Sequence, residues 1–409
     1  MPPTTTASAV PVANRVDAFT YAIRNIVAEA KRVEAAGTRV RYLNIGDPVP
    51  FGFATPSHLV DAVIEAVRAN NNGYAPSAGT REAREAIAAD FTRRGLPTAP
   101  DRVIITSGTS EGIELALTAL VNPGDEVLMP VPTYPLYTAV TAKLGARAVL
   151  YPADPEQGWL PDVEALGRLV TPRTRVLVVI DPNNPTGAVY PEHLRRRLLD
   201  LSDHYGIPIL SDEVYGDLAY DGPVAPLGSL NPDALILSFS SLSKGFTAPG
   251  WRTGWLAVGR SPRLDGVVSA LQKLADGRLC SCGPMQHAIP TALGGDRSHQ
   301  QAFCAALQTR AELTSRRLND IPGMRCVPPR GAFYAMPQVD LPPGRGDEDF
   351  VLGLLRATGI LCVHGSGFGM PREGGFFRVV YLASPDELDG IYDLMADFTR
   401  QFLQKGDAG

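Results

Sequence analysis

Seven apolar, β-branched runs separated by helix-patterned segments constrain this chain more than any other feature. They are Val103 to Thr106, Glu126 to Pro130, Ala148 to Tyr151, Val176 to Ile180, Ile207 to Leu210, Leu235 to Phe239 and Trp255 to Val258. Runs this continuous suit strands buried on both faces, and strands that alternate with helices build a mostly parallel sheet covered on both sides. The expected fold class is therefore α/β, with a mostly parallel seven-stranded sheet and helices on both faces.

From about Asp296 the pattern changes to a long amphipathic helix, Gln300 to Asn319, then to short strands around Ala332 to Met336 and Phe377 to Tyr381. This reads as a smaller α+β domain, joined by the N-terminal segment around Tyr42 to Ile45. A chain of 409 residues exceeds what one hydrophobic core usually supports. The expected division is a flexible tail at 1–15, a segment at 16–55 packing with the small domain, a large domain at 56–298 and a small domain at 299–409. The last residues, Lys405 to Gly409, read as a second biased end.

A formal net charge of -5 gives no basic footprint for nucleic acid or anionic lipid, which leaves a small molecule as the expected partner. The five cysteines, Cys280, Cys282, Cys304, Cys326 and Cys362, fit neither a zinc site nor a disulfide framework. Reduced, mostly buried thiols and no metal are expected. Met1 to Ala13 lacks the basic start and apolar core of a secretory signal, and no run approaches the ~20 apolar residues of a membrane helix. The expected location is the cytoplasm.

Three of the strands end in polar residues that can face a ligand. Asp181-Pro182-Asn183-Asn184-Pro185-Thr186-Gly187 follows one, Ser211-Asp212-Glu213-Val214-Tyr215 the next and Ser241-Leu242-Ser243-Lys244 the third. Asn184, Asp212 and Lys244 are 28 and 32 residues apart, close to the length of a strand, helix, strand unit. Ligands of open α/β sheets bind beyond the carboxyl ends of the strands, so the three side chains can converge. Among five lysines, only Lys244 lies among hydroxyls and glycines at the end of an apolar run. Arg378, in Phe376-Phe377-Arg378-Val379-Val380, sits in an otherwise apolar strand, where a guanidinium needs a partner and a carboxylate is the natural one.

In their order along the chain, Asn183-Asn184-Pro185-Thr186-Gly187, Ser211-Asp212-Glu213-Val214-Tyr215 and Ser241-Leu242-Ser243-Lys244 with Gly250 and Arg252 resemble the motifs of fold-type I aminotransferases of class I/II. These enzymes depend on pyridoxal 5'-phosphate (PLP). Leu43 to Pro48, Pro50 to Phe53, Gly73-Tyr74 and Arg330 to Tyr334 are similar to bacterial glutamate-pyruvate (alanine) aminotransferases.

The resemblance implies a role for each residue. Lys244 is the amine that condenses with the cofactor aldehyde and later moves the substrate proton. Asp212 pairs with the protonated pyridine nitrogen and keeps the ring an electron sink. Tyr215 and Asn184 hydrogen-bond the phenolic oxygen, and Tyr134 stacks on the ring. Gly108, Thr109, Ser110, Ser241, Ser243 and Arg252 hold the phosphate, with Tyr74 supplied by a neighbouring subunit of a homodimer with shared active sites. Arg378 binds the substrate carboxylate, assisted by Asn184 and Gly46, and Tyr21 belongs to the substrate pocket. Val131-Pro132 and Asn184-Pro185 are candidate cis peptides.

Without the resemblance, several of these residues have an ordinary alternative. Lys244 is then a solvated lysine, Asp212 and Gly108 to Ser110 helix caps, and Tyr215 and Tyr134 packed aromatics. Tyr74 becomes an anchor in a turn, Arg378 half of a structural ion pair and Tyr21 one turn of an amphipathic helix.

The implied reaction is transamination, L-alanine plus 2-oxoglutarate giving pyruvate plus L-glutamate. The alanine aminotransferases it resembles tend to carry Tyr-Arg where this chain has Phe246 and Thr247, so another neutral, aromatic or specialised amino donor stays open. A PLP-dependent β/γ-lyase is the second alternative. A non-catalytic regulatory domain is a third, against which the intact Lys244 and the short stretch ahead of Leu43 both speak.

Overall fold

The computed structural model describes residue 10, residues 12–16 and residues 26–404. Its central sheet contains β1 Val103–Thr106, β2 Glu126–Val131, β3 Arg147–Asp154, β4 Leu160–Pro161, β5 Thr174–Ile180, β6 Ile209–Asp212, β7 Ile236–Ser241 and β8 Gly254–Val258. The spatial order is β1-β8-β7-β6-β5-β2-β3-β4. Strands β2, β3, β5, β6 and β7 pair in parallel, whereas β8 runs antiparallel to both β1 and β7. The seven expected strands are present. The eighth, β4, is a two-residue antiparallel edge that ends in a proline, too short to leave an apolar run in the sequence.

Alternation along the buried strands fills two layers. Val176, Val178 and Ile180 pack with Ile113, Leu117 and Tyr137 on one face, while Leu177 and Val179 meet Leu194 and Leu198 on the other. Each leucine fully withdrawn from water in these layers contributes roughly 2 kcal/mol before the entropy of ordering is subtracted. Chain order reverses between β2 and β5, since the chain proceeds from β5 toward β8 in one direction and from β2 toward β4 in the other. Such a reversal leaves a crevice at the carboxyl ends of the strands.

A third core gathers Ile26, Ala30 and Leu43 with Phe303, Leu307, Phe350, Leu354, Ile391 and Met395. Arg41–Tyr42 pairs in parallel with Ile360–Leu361, and Phe377–Val380 is the middle strand between Tyr334–Ala335 and Val363–His364. The long helix, expected from Gln300, spans Ser298–Asn319. The last helix, Pro385–Gln404, starts with proline and two acidic residues and buries Leu388, Ile391, Tyr392 and Met395 along one stripe.

All five cysteines are free, but only Cys326 and Cys362 are buried. Cys280 and Cys282 lie in the loop between two helices, outside the apolar layers, and Cys282 is exposed. This corrects the expectation of mostly buried thiols. Val131-Pro132 and Asn184-Pro185 are cis as expected, and Asp181-Pro182 is a third cis bond. Among the described residues no helix is long and apolar enough to cross a membrane, and no three side chains form a metal-binding group.

Candidate active site

Strand β7 ends at Ser241, and the turn that follows carries Lys244 into the crevice, where it is half-buried. Its Nζ donates to the Gly46 carbonyl at 2.6 Å. Burial pushes the Lys244 pKa down to about 8; the Asp47 carboxylate opposes the shift, the Arg378 and Arg252 guanidinium groups reinforce it, and Asp212 opposes it more weakly. An amine lowered this far is partly unprotonated near neutrality, as a nucleophile or base must be.

Asp212 closes β6 and is 5% exposed. Its Oδ2 accepts from the Tyr137 hydroxyl at 3.1 Å and its Oδ1 from the Val214 N–H at 3.4 Å. Burial nevertheless raises its pKa to about 6, against the pull of both hydrogen bonds. A carboxylate held this way favours a cationic N–H donor in the cavity it faces.

Arg378 is 2% exposed on its apolar strand. It donates to Asn184 Oδ1 at 3.0 Å and to the Asn44 carbonyl, and its guanidinium lies over the Tyr334 and Phe368 rings at 4.7 and 4.9 Å. The Tyr215 and Tyr334 hydroxyls are 2.8 Å apart. Only glycine suits position 46, because a Cβ there would lie 2.1 Å from the Tyr334 oxygen.

At the other end, β1 leads through Ser107 and Gly108 into the helix Thr109–Leu120. Gly108 has φ 78°, and a Cβ on it would stand 2.3 Å from Arg252 Nη2. A Cβ on Gly254 would meet the Gly108 carbonyl carbon and the Thr109 nitrogen at 2.6 Å. These two glycines let the Arg252 guanidinium approach the start of the helix, where it donates to the Ser107 and Pro249 carbonyls. Ser241 Oγ accepts from the Ser243 N–H at 3.2 Å.

One cavity of about 480 Å³ is lined by Lys244, Asp212, Tyr215, Asn184, Tyr134, Thr109, Ser110, Ser241, Ser243, Arg252, Gly46 and Arg378. Gly108 stands behind Arg252 and does not line it. Tyr74 is not among the lining residues and is 85% exposed. Tyr21 lies outside the described residues.

The model of the family described as aminotransferase class I and II matches residues 39–391. The chain belongs to this aminotransferase family. Among its relatives, the glutamate-pyruvate aminotransferase AlaA of Escherichia coli is 37% identical, over 97% of this chain and all of the relative. An alanine aminotransferase of Mycobacterium tuberculosis is 38% identical over 94% of this chain and 91% of its own length. Among solved structures, an alanine aminotransferase from Pyrococcus furiosus superimposes with a TM-score of 0.92 at 36% identity, covering 96% of this chain and 100% of that one. Transamination is therefore the reaction class.

Several residues of this aminotransferase cavity carried no individual role in the sequence. Tyr137 follows Tyr134 by three positions, one helical turn on, and reaches Asp212 from there. Tyr334 ends the Arg330 to Tyr334 motif, but its place between Tyr215, Arg378 and Gly46 depends on elements far apart in the chain. Asp47 sits inside the Leu43 to Pro48 motif and lines the cavity. Phe368 had no sequence signal beyond being aromatic.

Proposed function

We propose that the protein is a PLP-dependent aminotransferase whose reaction is L-alanine plus 2-oxoglutarate giving pyruvate plus L-glutamate. The observation that carries the reading is the single cavity shared by the Lys244 amine, the Asp212 carboxylate and the Arg378 guanidinium. The names of the relatives support the substrate pair.

The donor set fits the cofactor. Arg252, the Thr109 and Ser110 end of the helix and the Ser241 and Ser243 hydroxyls suit a phosphate dianion, and the close approach allowed by Gly108 and Gly254 brings that charge together. Asp212 suits a protonated pyridine nitrogen, Tyr134 the ring face, and Tyr215 with Asn184 the phenolic oxygen. When bound, PLP supplies the aldehyde and the electron sink that this chain lacks. Lys244 Nζ takes the proton that leaves the donor Cα. Arg378 orients the substrate carboxylate through parallel N–H donors, with Asn184 Oδ1 fixing the guanidinium. Apolar walls from Ile113, Ile180 and Val214 help exclude water around these groups.

The same reading takes the exposed Tyr74 as a contribution to the neighbouring subunit of a homodimer, and Tyr21 as a substrate-pocket residue. It divides the chain into 16–55 with 299–409 and 56–298, after a tail at 1–15, and assigns the protein to the cytoplasm. The test is a panel of amino donors assayed with 2-oxoglutarate on PLP-loaded protein. L-alanine is expected to give the highest kcat/KM. A different preferred donor would move the assignment within the family, and release of ammonia from a β- or γ-substituted amino acid without any oxo acid would replace it with lyase chemistry.

A further inference from the structure

The aminotransferase reading assigns the carboxylate end of a substrate to Arg378, but an amino acid enters as a zwitterion and its ammonium needs a counter-charge. Among the described residues, two carboxylates line the cavity, Asp212 and Asp47. Asp212 is buried and engaged by Tyr137 and Val214. Asp47 is half-buried, and its Oδ1 accepts from the Val49 N–H at 3.0 Å, which fixes the carboxylate at the cavity wall.

The position of Asp47 in the chain matters as much. Within four residues, the Asn44 carbonyl accepts from Arg378, the Gly46 carbonyl accepts from Lys244, and Asp47 follows. One short segment thus touches the cation proposed to take a carboxylate, touches the Lys244 amine, and carries a carboxylate on the wall of the cavity that this amine lines. We propose that Asp47 is the specificity residue that recognises the α-ammonium of the incoming amino donor and so distinguishes amino acids from the oxo acids that share the cavity. This rests on the aminotransferase reading and deepens it.

Lys244 already serves as an internal probe of that charge. Among the described charged groups acting on its amine, Asp47 has the largest effect, and it favours the protonated form. An ammonium arriving beside Lys244 experiences the same field. A 2-oxo acid carries a carboxylate and no ammonium, so Asp47 offers it nothing and repels it weakly.

The test uses PLP-loaded protein, the form that takes the amino donor, without any oxo acid, so that L-alanine runs a single half-reaction. The dissociation constant of L-alanine is read from the saturation of the half-reaction rate, followed by cofactor absorbance, and that of propanoate, which keeps the carboxylate and lacks the ammonium, from calorimetry. Asp47→Asn retains an oxygen for the Val49 N–H and removes only the charge. The expected result is roughly tenfold weaker binding of L-alanine, with propanoate unchanged or tighter. Equal shifts for both ligands, or no shift for either, would overturn the proposal while leaving the aminotransferase reading intact. PLP-loaded wild-type protein that neither binds propanoate nor runs the half-reaction with L-alanine would overturn both.

Discussion

The Tyr137 hydroxyl donates to the Asp212 carboxylate at 3.1 Å, from a fully buried helix position on one face of the sheet. The bond holds Asp212 from behind, so its remaining capacity is directed into the cavity. Removing the hydroxyl leaves a buried carboxylate short of a donor, which costs about 1–3 kcal/mol. Tyr137→Phe is expected to lower PLP affinity and to raise the Asp212 pKa above about 6, read from the pH dependence of cofactor binding.

Asp212 itself weakens the cofactor-free fold. Its pKa rises from 3.8 unfolded to about 6 folded, so the folded state binds the extra proton and stability falls as pH rises through that window. The penalty is absent below the lower value and complete above the upper one. Asp212→Asn is expected to stabilise cofactor-free protein by about 1–3 kcal/mol at pH 7.5 in urea unfolding, and to abolish that gain near pH 4, while PLP affinity collapses.

Lys244 has the opposite linkage. Its pKa falls from 10.5 to about 8, so the unfolded state holds more protons between these values and stability rises with pH across them. Lys244→Met is expected to stabilise cofactor-free protein at pH 7, with the difference vanishing toward pH 10.5. The same variant should lose all borohydride-trapped cofactor, measured as intact mass. Retained trapping would assign the reactive amine elsewhere.

Arg378→Lys keeps the charge but loses the planar pair of donors and the contact with the Tyr334 and Phe368 rings. The expected cost is about 100-fold in kcat/KM for both the amino and the oxo substrate. Asp47→Asn, in contrast, should separate the two substrates.

Gly254→Ala places a methyl group 2.6 Å from backbone atoms that cannot yield as a flexible side chain would. A loss of about 2–4 kcal/mol in unfolding free energy is expected, together with weaker inorganic phosphate binding measured by calorimetry.

The sheet was legible because strands buried on both faces must be apolar throughout, and β5, from Thr174 to Ile180, shows this plainly. Lys244, Asp212 and Asn184 were legible because each lies at, or within four residues beyond, the end of such a strand. β4 was not, since two edge residues bury too little to impose a pattern. Tyr137 and Tyr334 carried no role of their own, because what distinguishes them is a hydroxyl whose partner lies 75 and 119 residues away in sequence. Asp47 was hidden by its motif, where a turn-forming aspartate and a ligand-facing one look the same.

The 334-residue interval between Arg378 and its Asn44 partner sets when the protein can begin to work. Segment 41–43 emerges from the ribosome long before the residues it hydrogen-bonds, Gly359, Leu361 and Val380. A nascent chain truncated before residue 378 would therefore carry Lys244, Asp212 and Arg252 while lacking the guanidinium proposed to hold the substrate carboxylate.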